Sequence, residues 1–129
     1  MLRTPGVSFV NLQYGDCAEE IAHAERELGV TIWQPPGIDL KLDLDDVTAL
    51  SCAMDLTIGF SNATLNLGAA AGAPAWLIST PAVWTGLGLS DRYAWYPQVR
   101  VFQPSEPNAW APLMEDVAKA LCEFAAKAR

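Results

Sequence analysis

Short apolar segments rich in β-branched and aromatic residues alternate along this chain with segments whose apolar residues recur at helical spacing. Continuous apolar segments of this length are typical of strands buried on both faces, and helices that connect such strands make them parallel. The expected strands lie at Val7–Leu12, Val30–Trp33, Leu56–Phe60, Ala75–Ile78 and Val99–Phe102. The alternation therefore predicts an α/β fold, namely a doubly wound, mostly parallel sheet of about five strands of the Rossmann-like kind.

Helix boundary signals fit this order of elements. Asp16 is expected to cap the first helix, and Gly29 is expected to end it. A later helix is expected over residues 63–71, where the small residues from Gly68 to Gly72 let it lie close on the sheet. An apolar stripe that begins at Trp110 predicts a long C-terminal helix.

The composition excludes several classes of function. The 129 residues carry 8 basic and 15 acidic side chains without a basic run, and the resulting net charge of -7 argues against binding to nucleic acid or to anionic membranes. The most apolar stretch, Ala63 to Ser79, is interrupted by Asn66 and Pro74, so it predicts a buried helix and strand instead of a membrane span. No linker or repeat is visible, and we interpret residues 1–129 as a single domain.

The cysteines and the histidine predict neither a metal site nor a disulfide framework. The three cysteines are far apart and odd in number, and His23 is the one histidine. These residues show no metal-ligand spacing and assemble no nucleophilic catalytic set. We therefore expect no metal or other cofactor, and a reducing, cytoplasmic location.

Ligands of an open parallel sheet bind beyond the carboxyl ends of its strands. Three segments are expected at that edge: Gln13–Asp16, Ser61–Thr64 and the long loop 79–98. In the second segment a strand runs directly into a helix. The unpaired N–H groups at such a helix start bind phosphate, and the hydroxyls of Ser61 and Thr64 are expected to add hydrogen bonds. The alternative is that Ser61 or Asn62 only caps the helix.

The residues of the other two segments each have a functional and a structural interpretation. Gly15 allows either a simple turn or a close approach of the backbone to a ligand, and Tyr14 either stacks on a base or packs against the protein. Trp84 and Trp95 lie in a loop long enough to be functional, and they either shape a pocket or pack down on the body. The remaining tryptophans, Trp33, Trp76 and Trp110, are expected in the core.

Several motifs, taken together and in order, resemble one family of enzymes. They are Phe9–Asp16, Leu44–Val47, Met54–Leu56, Ser61–Thr64, Gly68–Pro74 and Trp95–Pro97, followed by Arg100 and Phe102. Over nearly the whole chain this combination resembles the C-terminal, Rossmann-like domain of bacterial tetratricopeptide-repeat glycosyltransferases, which are related to the heptosyltransferase-like GT-B enzymes. The chain departs from the pattern at Asn66, where relatives carry a histidine, and at Ser61, where heptosyltransferases carry an aspartate.

The resemblance implies both a ligand and a site. The implied ligand is a nucleoside-diphosphate sugar of the UDP or GDP type, bound at Gln13, Tyr14, Gly15, Ser61, Asn62, Ala63, Thr64 and Asn66, with Trp84, Trp95 and Tyr96 shaping the pocket. In the family, the turn that matches residues 61–64 cradles the diphosphate. The residues alone predict an anion site at the same turn.

A GT-B enzyme closes two halves around its substrates, and its acceptor side and general base lie in the N-terminal half. These 129 residues contain neither that half nor tetratricopeptide repeats. The leading hypothesis is therefore a donor-binding domain that is incomplete as an enzyme on its own and needs a missing N-terminal half or a second copy of itself. The alternative is a non-catalytic protein-interaction module that keeps the Rossmann-like fold.

Overall fold

The computed structural model describes residues 1–81, 86–89 and 92–128, and its elements follow the predicted order. Strands β1 to β5 span Phe9–Val10, Ile32–Trp33, Thr57–Gly59, Ala75–Ile78 and Arg100–Phe102. Helices α1 to α4 span Ala18–Leu28, Leu44–Ala53, Ala63–Ala70 and Trp110–Lys127. The predicted α/β class and the alternation of strands with helices are confirmed.

The chain divides into two compact units. The three-stranded unit, Leu44–Leu113, contains β3, β4 and β5 in that spatial order, and both pairs of strands are parallel. The two-stranded unit combines Met1–Asp43 with Met114–Arg129 and contains the parallel pair of β1 and β2. The prediction of parallel strands is confirmed in each unit. The hydrogen bonds between strands β1 to β5 form one sheet of three strands and one of two.

The apolar core of the three-stranded unit lies between α3 and one face of the sheet. The register pairs Thr57 with Ala75 and Gly59 with Leu77, which brings small and apolar residues to the same face. The buried cluster on this face consists of Leu65, Ala69, Ala75, Leu77, Tyr93 and Val99, with Tyr96 and Val101 packed against it. Since Leu65 belongs to the first turn of α3, the packing holds the start of this helix at the carboxyl end of β3.

Aromatic residues cover part of the opposite face of the same sheet. Trp76 of β4 and Phe102 of β5 are both buried, with ring centroids 5.2 Å apart, so the predicted core position of Trp76 is confirmed. The guanidinium carbon of Arg100 lies 5.4 Å from the Trp76 ring centroid and 4.4 Å from the Phe102 ring centroid. A cation over aromatic faces adds about 0.5–1 kcal/mol of stability at a site of this exposure.

Two other tryptophans that were predicted in the core are not fully buried. Trp33 is 50% exposed, so its predicted core position is wrong. It is the last residue of the two-residue strand β2, and because side chains alternate along a strand, Trp33 and the half-buried Ile32 face opposite sides. Trp110 is half-buried at the first position of α4.

Gly68 permits a close approach between α2 and α3. A Cβ atom at this position would lie 2.9 Å from the Cβ of Ser51 in α2, well inside van der Waals contact. The small residues around Gly68 were expected to bring α3 close to the sheet. For Gly68 itself that expectation is wrong, because its open side faces α2, whereas Ala69 belongs to the cluster on the sheet.

The cap of the first helix lies one residue later than predicted. Cys17 occupies the N-cap position of α1 and makes no side-chain capping hydrogen bond, so the predicted cap at Asp16 is wrong. The turn before the helix is organised from Asn11 instead, whose side-chain oxygen accepts from the Gln13 N–H at 2.9 Å. The end of the helix is as predicted, since Gly29 adopts the left-handed conformation at φ 63° and its N–H donates to the Glu25 carbonyl.

Candidate functional site

The turn between β3 and α3 leaves two backbone donors open. Asn62 is the N-cap of α3, and its side-chain oxygen accepts from the Leu65 N–H at 3.0 Å. Asn62 therefore caps the helix, as its residue type and position predicted. The N–H groups of Ala63 and Thr64 have no hydrogen-bond partner within the described part of the chain. The cap thus satisfies one of the donors of the first turn and leaves two neighbouring donors available.

Three side chains around this turn form a ring of hydrogen bonds. The Tyr93 hydroxyl donates to the side-chain oxygen of Asn66 at 3.0 Å, and it also lies 3.0 Å from the Ser61 hydroxyl oxygen. Because a phenol carries one proton, the Ser61 hydroxyl is the donor in the second bond. The Asn66 side-chain nitrogen closes the ring with a longer contact of 3.5 Å to Ser61, and it donates to the Asn62 carbonyl at 2.7 Å.

The ring determines which groups of the turn remain available to a ligand. Tyr93 is only 3% exposed, so its hydroxyl holds Ser61 and Asn66 from inside the protein. The hydroxyl of Ser61, which was expected to add a hydrogen bond to a bound phosphate, has its own proton committed to Tyr93. The side chain of Thr64 is buried. The unpartnered donors of the turn are accordingly the backbone N–H groups of Ala63, which is exposed, and of Thr64, a residue that is only 5% exposed.

An exposed aromatic residue lies directly beside the turn. Phe60 follows the last residue of β3, and 57% of it is exposed. Its ring meets the ring of Trp110 edge to face, with centroids 6.2 Å apart and an interplanar angle of 72°. The Asn62 N–H donates to the Phe60 carbonyl at 2.8 Å, so a tight three-residue turn joins this aromatic residue to the start of α3.

The pocket loop predicted from the sequence is described only in part. Tyr96 packs its ring edge to face on Tyr93, with centroids 5.9 Å apart, and lies half-buried against the core cluster. Trp95 is 54% exposed. Trp84 lies outside the described residues. The side chain of Gln98 donates to the Ala69 carbonyl at 2.6 Å, which ties the end of this loop to the last turn of α3.

The other predicted site segment belongs to the two-stranded unit. Gly15 adopts a φ of 96°, a conformation that suits glycine, in the bend between β1 and α1. Tyr14 is exposed, and the Gln13 side-chain nitrogen donates to the Glu20 carboxylate at 3.4 Å. The structure therefore brings Ser61, Asn62 and Asn66 together with Tyr93 in one unit, and it holds Gln13, Tyr14 and Gly15 in the other.

Metal-binding groups do not come together in the part of the chain that is described. Within residues 1–81, 86–89 and 92–128, no three His, Cys, Asp or Glu side chains are close enough to hold a metal ion. His23 is exposed on α1, with Arg26 as its neighbour at 3.3 Å. No helix in these ranges is both long and apolar enough to cross a membrane.

Two residues that matter at the turn were not singled out from the sequence. Tyr93 stands three residues before Tyr96 in the long loop, and Phe60 is the last apolar residue of the third predicted strand. A tyrosine in a loop that already contains three predicted pocket residues is a weak signal. An aromatic residue immediately before a cap residue at the carboxyl end of a strand is a better one, since that edge is where ligands of parallel sheets bind.

The fold and the turn together define an α/β protein whose parallel sheet leads into a helix start with open N–H groups. The chain is 60% identical over 126 residues to Protein FlbA of Caulobacter vibrioides. The match covers 98% of this chain and 21% of FlbA, so the chain spans about a fifth of the length of this curated relative. No family model and no solved structure matches the chain.

Proposed function

We propose that this chain holds the nucleoside-diphosphate sugar, of the UDP or GDP type, for a GT-B type glycosyltransferase. The observation that carries the proposal is the pair of open N–H groups of Ala63 and Thr64 at the carboxyl end of a parallel strand. Such helix starts bind phosphate because the free donors and the helix dipole both favour negative charge. The resemblance to tetratricopeptide-repeat glycosyltransferases supports the proposal, since it implies the diphosphate at the same turn.

In this role the turn acts on the leaving group. When the bond between the sugar and the diphosphate breaks, negative charge develops on the diphosphate oxygens. The N–H groups of Ala63 and Thr64 are fixed in advance by the Asn62 cap and by the ring of Ser61, Tyr93 and Asn66. Fixed donors stabilise developing charge without reorganising during the reaction, which lowers the barrier to transfer.

The acceptor site and the general base belong, under this proposal, to another part of the enzyme. The matching segment is one fifth of FlbA, and a GT-B enzyme needs a second half to bring the acceptor hydroxyl within reach of a base. We expect the purified 129-residue chain to transfer no sugar to an added acceptor. Turnover of a donor sugar onto an acceptor by this chain alone, measured by product chromatography, would contradict the assignment. Slow hydrolysis of the donor would not, because water needs no acceptor site.

The proposal is tested by removing one open donor without disturbing the helix. Ala63 is the first residue of α3, where proline is well tolerated, and the extended backbone of Asn62 suits a residue that precedes proline. Ala63→Pro therefore deletes an N–H group and keeps the fold. We expect the affinity for UDP, GDP and inorganic pyrophosphate, measured by titration calorimetry, to fall by about 10- to 150-fold, the value of one hydrogen bond to a charged group.

Two further variants make this test specific. Asn62→Asp keeps a good N-cap but brings a negative charge to the turn, so it is expected to weaken binding of all three ligands with little loss of stability. Ala63→Ser keeps the N–H group and is expected to bind like the unsubstituted chain. If Ala63→Pro and Asn62→Asp both leave binding unchanged, the start of α3 is not the phosphate site. If no nucleoside diphosphate binds at millimolar concentration, the donor-binding proposal fails.

The second candidate function is a protein-interaction module. It is favoured by exposed aromatic residues in the three-stranded unit, Phe60 and Trp95, because such residues frequently form the centre of protein interfaces. This candidate predicts self-association or partner binding that is insensitive to Ala63→Pro and is lost in Trp95→Ala. Sedimentation of both variants beside the unsubstituted chain separates the two functions.

A further inference from the structure

The exposed Phe60 and the half-buried Trp110 form an aromatic pair beside the carboxyl end of β3. Phe60 directly follows β3, and Trp110 is the first residue of α4, which comes after β5 in the chain. Their rings nevertheless lie 6.2 Å apart, edge to face, and Phe60 stays 57% exposed. The pair therefore leaves part of the Phe60 ring uncovered beside the start of α3, where it is available to a ligand.

The position of this pair relative to the turn indicates what binds. The hydrogen bond between the Asn62 N–H and the Phe60 carbonyl closes a tight turn that holds Phe60 two residues before Asn62, the cap of α3. A molecule with its anionic part on the N–H groups of Ala63 and Thr64 therefore has its next portion within reach of the Phe60 ring. In a nucleoside diphosphate that portion ends in a planar aromatic base, and bases stack on aromatic side chains.

We propose that Phe60, supported by Trp110, is a stacking platform for the base of the nucleotide. This inference rests on the proposed function, because it takes the diphosphate to lie at the start of α3. Phe60 offers an aromatic face and no hydrogen-bonding group. The platform therefore recognises the base by its ring surface and not by its hydrogen-bonding edge, so uracil and guanine are both accepted and the larger guanine stacks at least as well.

The test compares a ligand that has a base with one that lacks it. Phe60→Leu keeps an apolar side chain of similar size but removes the aromatic face, whereas Phe60→Tyr keeps that face. By titration calorimetry we expect Phe60→Leu to weaken UDP and GDP binding by about 5- to 150-fold, the range for loss of one stacked base. Inorganic pyrophosphate is expected to bind Phe60→Leu as it binds the unsubstituted chain, and Phe60→Tyr is expected to keep its affinity for all three ligands.

The possible results separate this inference from the proposed function. If UDP and pyrophosphate bind the unsubstituted chain, and Phe60→Leu leaves UDP binding unchanged, the platform is wrong and the phosphate site stands. If Phe60→Leu weakens UDP and pyrophosphate equally, Phe60 shapes the turn instead of stacking, which also overturns the platform. If neither ligand binds the unsubstituted chain, the proposed function fails and the platform fails with it. Thermal unfolding of each variant verifies that it is folded.

Discussion

The contact between α2 and α3 depends on the absence of a side chain at Gly68. A Cβ atom there would lie 2.9 Å from the Ser51 Cβ and 3.3 Å from its hydroxyl oxygen. Ser51 is fully buried, and its hydroxyl donates to the Val47 carbonyl at 2.9 Å, so its side chain has no room to turn away. Gly68→Ala therefore forces the two helices apart.

The net effect of Gly68→Ala is the difference between two opposing contributions. Overpacking a well-packed core costs about 1–3 kcal/mol. Alanine gains about 1 kcal/mol over glycine in a helix interior. Since the obstructing Cβ belongs to a fixed side chain, the cost is expected at the upper part of its range, and the free energy of unfolding is expected to fall by about 1–2 kcal/mol.

Urea denaturation followed by circular dichroism measures this change. Ala49 is exposed on α2, so Ala49→Gly reports the intrinsic helix preference without a packing change. Ser51→Gly removes the obstructing atoms, and in that background Gly68→Ala is expected to stabilise the protein instead of destabilising it. If Gly68→Ala stabilises the otherwise unsubstituted chain by about the Ala49→Gly difference, the helices are not in close contact at this point and the argument is refuted.

Three further substitutions test the three-stranded unit, each by thermal or urea denaturation. Thr57→Val replaces a buried hydroxyl that has no partner among the described residues by a methyl group of the same shape, and it is expected to raise the free energy of unfolding by about 1 kcal/mol; a loss would show that the hydroxyl is bonded. Asn62→Ala removes the cap on the Leu65 N–H and is expected to cost about 1 kcal/mol, while Asn62→Asp keeps the cap. Tyr93→Phe deletes the hydroxyl that bonds Ser61 and Asn66 and is expected to cost about 1–2 kcal/mol; an unchanged stability would mean that the ring contributes nothing.

The order of elements and the helix start at Asn62 were predictable because they depend on neighbouring residues. Apolar segments alternate with helical spacing along the chain, and an asparagine at the junction of a strand and a helix is a frequent cap. The ring around the turn depends instead on Tyr93, which is 27 residues from Asn66 and 32 from Ser61 along the chain. Contacts at such separations follow from the path of a long loop, which no local pattern encodes.

The wrong predictions concern the surroundings of Trp33, Gly68 and Asp16 in the folded protein. Trp33 was expected in the core because it falls in a predicted strand, but whether it is buried depends on which element covers its face of β2. Gly68 was assigned to the sheet because α3 lies on it, but the angular position of Gly68 around the helix directs it to α2. Asp16 is a good cap by residue type, but Cys17 occupies the N-cap position. For Trp33 and Gly68, tertiary packing decided between positions that the sequence left equivalent.

In the hydrogen-bond ring of Ser61, Tyr93 and Asn66, the donors all point the same way round. A substitution at one position therefore changes which side chains fit at the others. Ser61 donates to Tyr93, Tyr93 donates to Asn66, and the Asn66 nitrogen faces Ser61, so each member both gives and receives. An aspartate at position 61 only receives, and it would draw the Tyr93 proton to itself and leave the Asn66 oxygen without a donor. A histidine at position 66, with an N–H group to give, would restore the balance. The ring therefore couples positions 61 and 66, and a substitution at one of them is expected to need a matching substitution at the other.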